Sequence, residues 1–158
     1  MRPAFTIEEV APDDPDVAAL RERMGEEANR RYGRPRFAAP AEGIDPATVV
    51  VTLLVRSDDR IVGTGALRRL GPDLEVKRMF VDPEQRGRGL GRILLADLEA
   101  RAREIGAPRL LLHTGLRQPE ALALYRATGF TEVPVFEPYL SVPESVCFAK
   151  DLAEDAES

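Results

Sequence analysis

Arg86, Gly87, Arg88, Gly89, Gly91 and Arg92 set fixed positive charge beside glycine inside the stretch V-K-R-M-F-V-D-P-E-Q-R-G-R-G-L-G-R, which runs from Val76 to Arg92. Glycine lets a backbone turn tightly and approach a ligand closely, and the free amide hydrogens at the start of a helix point at phosphate oxygens. The chemistry on offer is anion binding. The stretch reads as a strand that breaks at Asp82-Pro83, a basic glycine-rich turn, and the first turn of a helix that begins near Leu90. A P-loop would need a Lys followed by Ser or Thr at the helix start, where this chain has Gly91, Arg92 and Ile93. The dinucleotide fingerprint G-x-G-x-x-G is also absent, because Gly87, Gly89 and Gly91 have the wrong period.

The turn spells Arg86-x-x-Gly89-x-Gly91, and with A-L-A-L-Y-R-A-T-G-F from Ala121 to Phe130 it resembles the GCN5-related N-acetyltransferase (GNAT) family over roughly Thr48 to Leu152. That resemblance implies an R/Q-x-x-G-x-G/A turn holding the pyrophosphate of acetyl-coenzyme A, the co-substrate. Arg86, Gly87, Arg88, Gly89, Leu90, Gly91 and Arg92 would then bind the coenzyme. It also implies that the pantetheine arm lies between two splayed parallel strands and pairs with backbone around Met79, Phe80 and Val81. Lys77 and Arg78 are adjacent polar residues followed by three apolar ones, a slip in alternation that a β-bulge produces. A strand end buried on both faces gives the same pattern.

Acetyl transfer from a thioester to an amine needs a neutral nucleophile, a stabilised oxyanion and a proton for the leaving thiolate. The resemblance places Glu75 where histone-type members carry a catalytic glutamate, taking the amine proton directly or through water. A strand carboxylate paired with Lys77 or Arg68 is the plainer reading. Tyr125 matches the tyrosine of the family's L-Y-x-x-x-G-F pattern, whose hydroxyl stands near the coenzyme sulfur. A phenol of pKa near ~10 would donate to a thiolate of ~8.5 with little mismatch. Gln118 falls where many members carry an asparagine that bonds the pantetheine amides. His113 ends a strand and would serve as a base or simply as a satisfied structural residue. Glu26, Glu27, Arg34, Arg36, Phe37 and Tyr139 would flank the acceptor mouth, although surface or packing roles suit each of them as well.

The elements that must position these groups follow from periodicity. Phe5 to Val10 reads as a strand, and Asp14-Pro15 as the start of a helix with Val17, Leu20, Met24 and Ala28 on one face. Residues 34 to 46 read as a loop. Thr48 to Arg56, Ile61 to Leu70 and Leu74 to Val81 form an antiparallel meander with short turns. A helix from Gly89 to Ile105 presents Leu90, Leu94, Leu98 and Ala102, and Arg109 to His113 returns as a strand parallel to Leu74–Val81. A helix from Gln118 to Thr128 closes at Gly129, and strands follow at Thr131 to Phe136 and Ser145 to Asp151. The expected class is α/β (α+β), the GNAT fold: a mixed, mostly antiparallel central sheet of six to seven strands, helices on both faces, and one splayed parallel pair.

At 158 residues the chain suits one domain, residues 1–152, with an acidic tail at 153–158. One cysteine excludes an internal disulfide, and one cysteine with one histidine leaves no set for zinc, so no metal is expected. The formal net charge of −5 argues against nucleic-acid binding, and an RGG-like reading of Arg86 to Gly89 conflicts with its ordered flanks. The absence of a long apolar run argues against a membrane span and, with no signal-peptide stretch, for a cytoplasmic location. The functional expectation is an acetyl-coenzyme A-dependent N-acetyltransferase acting on a primary amine of a small molecule or protein. Its alternative is a non-catalytic acyl-coenzyme A sensor of the same fold. The acceptor, the preference among acyl groups and the oligomeric state stay open, with a homodimer through the C-terminal strands as one option.

Overall fold

A computed structural model describes residues 5–32, 45–85, 87 and 89–152. Arg34, Arg36, Phe37, Arg86, Arg88 and the 153–158 tail lie outside the described residues. The chain runs β1 (Phe5–Glu9), α1 (Pro15–Tyr32), β2 (Val49–Ser57), β3 (Arg60–Leu70), β4 (Asp73–Val81), α2 (Leu90–Ile105), β5 (Arg109–Gly115), α3 (Pro119–Ala127), β6 (Thr131–Val133) and β7 (Ser145–Asp151). Short 3-10 turns at Pro46–Thr48 and Pro83–Gln85 lead into β2 and out of β4. The sheet has seven strands in the order β1-β2-β3-β4-β5-β7-β6, and only β4 and β5 pair in parallel.

The two faces of the sheet are built differently. Val51, Leu53, Val55, Leu74, Val76, Leu110 and Leu112 pack with Leu90, Leu94, Leu95, Leu98 and Ala102 of α2 in one apolar core. Alternation turns the neighbouring side chains to the other face, where Leu54 and Phe80 meet Val17 and Leu20 of α1. Asp14 starts α1 by accepting the Asp16 amide at 2.9 Å. At its far end α2 stops at Gly106, whose left-handed φ of 93° lets its amide reach Ala102 and Arg103.

The bulge is real, and it re-aims β4. Pairing with β3 is regular from Leu70↔Asp73 to Ala66↔Lys77, then slips before Thr64↔Phe80, and Arg78 adopts a φ of 58°. The slip puts Met79 and Val81 on the α2 face and Phe80 on the α1 face. Beside it, β4 and β5 are paired only from Leu74↔Leu110 to Val76↔Leu112. Beyond that point the two strands are no longer bonded to each other, although both continue. Most strand boundaries fall within a residue of expectation, and two differ by more. β5 extends past His113 to Gly115, because β7 pairs with it along its whole length. β6 stops at Val133 rather than Phe136, since Pro134 has no N–H to give a ladder.

Candidate active site

A cavity of about 570 Å³ opens where β4 and β5 part. Lys77 and His113, the residues just after the last paired positions on each strand, line its inner end. Gly87, Gly89, Leu90, Gly91 and Arg92 line its outer end, while Met79, Phe80, Val81, Gln118 and Tyr125 wall the stretch between. Every described residue expected to touch the coenzyme therefore borders one continuous space.

The outer end has the backbone geometry that an anion requires. Gly87 and Gly89 adopt φ of 86° and 80°, in the left-handed region, and a Cβ on either would stand in open space. The first helical bond of α2 runs from the Ile93 amide to the Gly89 carbonyl at 3.0 Å, so the Leu90, Gly91 and Arg92 amides precede the ladder. At Gly91 a Cβ would lie 3.4 Å from Leu124 Cδ2, so glycine here lets α3 approach α2. Gln118 stands at the start of α3 without capping it by its side chain, which leaves its amide to the cavity.

Tyr125 is 6% exposed and packs edge-on to Phe148 and at a tilt to Phe130. Burial pushes its phenol up to about 12. The mismatch with a thiolate is thus larger than the sequence suggested. A thiol in the same apolar surroundings is raised by the same effect, which narrows the gap again.

Glu75 does not line the cavity. It is 0% exposed and both oxygens are engaged: Oε1 accepts from Arg68 Nε at 2.8 Å, and Oε2 accepts from the Tyr139 hydroxyl at 2.7 Å. Direct removal of an amine proton by Glu75 does not match this placement. Arg68 stands directly across from it on β3, and the two-residue turn Gly71-Pro72 sets that register. The pairing with Arg68 that the plainer reading expects is present, and it is buried.

Tyr139, expected at the acceptor mouth, is instead the hub of this buried cluster. Lys77 Nζ donates to its hydroxyl at 2.7 Å, Arg68 Nη2 approaches at 3.3 Å, and His113 stacks on its ring at 3.7 Å between centroids. Periodicity gave no sign of this, because Tyr139 lies in the irregular 134–144 segment. Ser145 gives its hydroxyl hydrogen to the Val142 carbonyl, so it accepts from His113 Nε2 at 2.8 Å. His113 is therefore the Nε2–H tautomer, and burial together with the Lys77 charge lowers its pKa to about 3. Burial also lowers Lys77, with Arg68 and Arg78 acting the same way and Glu75 opposing them. Glu26 is exposed on α1, and Glu27 reaches the cavity wall. Among the described residues no group of three or more His, Cys, Asp or Glu gathers to hold a metal.

A sheet splayed at one parallel pair, with a glycine turn and helix start at the mouth of the gap, is the arrangement that the family resemblance implied. The sequence profile of the acetyltransferase (GNAT) family matches residues 15–130, and the chain belongs to that family. An IAA acetyltransferase from Azospirillum brasilense is 43% identical over 102 residues, covering 63% of this chain and 67% of that protein. A crystal structure of a Klebsiella pneumoniae protein assigned to the acyl-CoA N-acyltransferases superposes with a TM-score of 0.79 at 35% identity, over 94% of this chain and 97% of that one. The PaiA N-acetyltransferase of Thermoplasma acidophilum, solved in complex with coenzyme A, shares the fold with a TM-score of 0.72 at 15% identity over 94% and 99% of the two chains.

Proposed function

We propose that this chain transfers the acetyl group of acetyl-coenzyme A to a primary amine of a small molecule or protein, as a single cytoplasmic domain over 1–152. The observation that carries this reading is the continuity of the cavity from the Gly87–Arg92 turn, along Met79 to Val81, to Tyr125 and the gap between β4 and β5. Coenzyme A held by a neighbour of the same fold supports it.

In this reading the α2 amides, Arg92 and the Arg86 and Arg88 side chains hold the pyrophosphate. The pantetheine arm pairs with the β4 backbone released by the splay, and Gln118 bonds its amides. The amine nitrogen attacks the thioester carbonyl, a C–N bond forms, the C–S bond breaks, and the coenzyme leaves as thiol. Tyr125 donates to the sulfur as negative charge develops on it, and the proton that the nitrogen sheds after attack passes through solvent and restores the phenol. Glu75 acts from behind, fixing Tyr139 and Lys77, and the acceptor reaches the site after losing its proton to solvent.

The test combines an acetyl-coenzyme A titration with a panel of amines scored by release of free thiol, with kcat/KM measured against pH for the best acceptor. We expect binding, turnover, and a rate that rises along the acceptor's own ionisation, with no limb near ~6.5 from a histidine. Binding without turnover on any amine would favour the sensor reading.

A further inference from the structure

The inner end of the cavity gathers two basic side chains about one carboxylate, and the second of them faces the acceptor space. Arg68 and Lys77 share one carboxylate, Glu75, which lies 2.8 Å from Arg68 Nε and 3.9 Å from Lys77 Nζ. Arg68 thus takes the close contact, and Lys77 is left with a distant one. Tyr139 and His113 add no charge, since each is held in its neutral form. The side chain of Lys77 is 10% exposed, and it lines the cavity directly after the last paired residue of β4. Of its three N–H groups one goes to Tyr139 at 2.7 Å, and Glu75 at 3.9 Å is too far to accept a hydrogen bond. Among the described residues the others have no acceptor. Burial, with Arg68 and Arg78 nearby, works against the charged form of Lys77, and an anion reaching it from the cavity restores that form and gains a charge-assisted hydrogen bond.

The coenzyme does not supply that anion. Its pyrophosphate belongs at the glycine turn, at the opposite end, and the arm and thioester that reach inward are uncharged. The acceptor is the molecule that enters here. Glu27 and Glu120 line the same cavity from α1 and α3.

We propose that the acceptor is an amine that also carries a carboxylate, of the amino-acid class, and that Lys77 binds the carboxylate at the inner end of the cavity. The proposal rests on the acetyl-transfer reading above. The carboxylate is unchanged in the reaction; it orients the nitrogen toward the thioester and supplies Lys77 with a counter-charge.

The experiment compares matched pairs, L-phenylalanine with L-phenylalaninamide and L-leucine with L-leucinamide, by kcat/KM per free amine in wild type, Lys77→Met and Lys77→Arg. Because a hydrogen bond between charged groups is lost with the amide, wild type should prefer the acid by roughly tenfold or more. Lys77→Met should bring the ratio of acid to amide close to one, chiefly through KM, and Lys77→Arg should restore part of the preference. In parallel, N-acetyl-L-phenylalanine and its amide are titrated onto the enzyme saturated with coenzyme A, with the same ordering expected. Equal use of acid and amide, a preference for the amide, or a Lys77→Met loss that falls equally on both would overturn the assignment. So would an enzyme that binds coenzyme A yet neither binds nor acetylates any amino acid. Failure to bind acetyl-coenzyme A at all would instead remove the acetyl-transfer reading on which this one stands.

Discussion

Tyr125 shows how one side chain is set by its surroundings. Phe130 and Phe148 pack on its ring, burial keeps the phenol protonated with a pKa of about 12, and the cavity reaches it at the gap between β4 and β5. Tyr125→Phe preserves the packing and deletes only the hydroxyl. We expect kcat to fall by roughly the 10²–10⁴ of general acid–base catalysis while acetyl-coenzyme A affinity stays within about twofold. Steady-state kinetics beside calorimetric titration check this, and a wild-type rate would reduce Tyr125 to a packing residue. The position of Tyr125 was legible because it sits in a local pattern on one helix. Glu75 was legible as a residue but not in its orientation, because whether a strand carboxylate faces a cavity or a buried arginine depends on the partner strand. Tyr139 was legible only as a residue near the acceptor mouth, and its place in the buried cluster was not. Its contacts to Glu75 and Lys77 span more than sixty residues of sequence from an irregular segment, where no period exists to read.

The elements were legible in proportion to the strength of their periodicity. The meander of β2, β3 and β4, the parallel return of β5 and the apolar stripe of α2 all follow from alternation, turn residues and helical spacing. The slip at Lys77-Arg78 announced the bulge because two polar residues in succession cannot both face water on a strand buried between neighbours. What alternation could not announce was that β7 would insert between β5 and β6, since strand order across an edge depends on long-range packing. The turn before α2 makes a prediction at this scale. Gly89 is left-handed at φ 80°, and a Cβ there would project into open space rather than into protein. A valine should therefore cost about 1–2 kcal/mol of stability through backbone strain alone. In the proposed reading its branched side chain would also stand where the backbone approaches the pyrophosphate. We expect Gly89→Val to weaken acetyl-coenzyme A binding at least tenfold in calorimetry while urea denaturation still reports a cooperative fold. Unchanged affinity in the folded variant would detach the turn from the coenzyme.

On the scale of the whole molecule, the sheet divides the protein into an apolar face under α2 and a face that buries a polar cluster beside the cavity. That division links global stability to pH. His113 keeps its pKa near 3 in the folded protein because of burial and the charge of Lys77, whereas an unfolded histidine titrates near 6.5. Below the unfolded value the unfolded chain binds a proton that the folded chain refuses, so stability is complete above pH ~6.5 and is lost as pH falls toward 3. Asp82 and Glu99 point the same way at lower pH. Burial works against both, but the Glu84 amide and Arg23 hold Asp82 down, and Lys150 and Arg103 hold Glu99 down. Their contributions are full above the unfolded carboxylate range, near ~4, and fade only below it. Of these three groups, the histidine is the one that titrates between pH 7 and pH 5 in the unfolded chain. Across that interval, wild type should lose up to about 2 kcal/mol of unfolding free energy through this one group. His113→Gln should begin from a lower stability at pH 7, since it gives up the stack on Tyr139, yet show a distinctly flatter dependence over the same interval. Urea denaturation of both proteins at half-unit steps measures the two slopes. Parallel slopes would mean that His113 titrates normally in the folded state and that the cluster around Lys77 is less positive than its geometry implies.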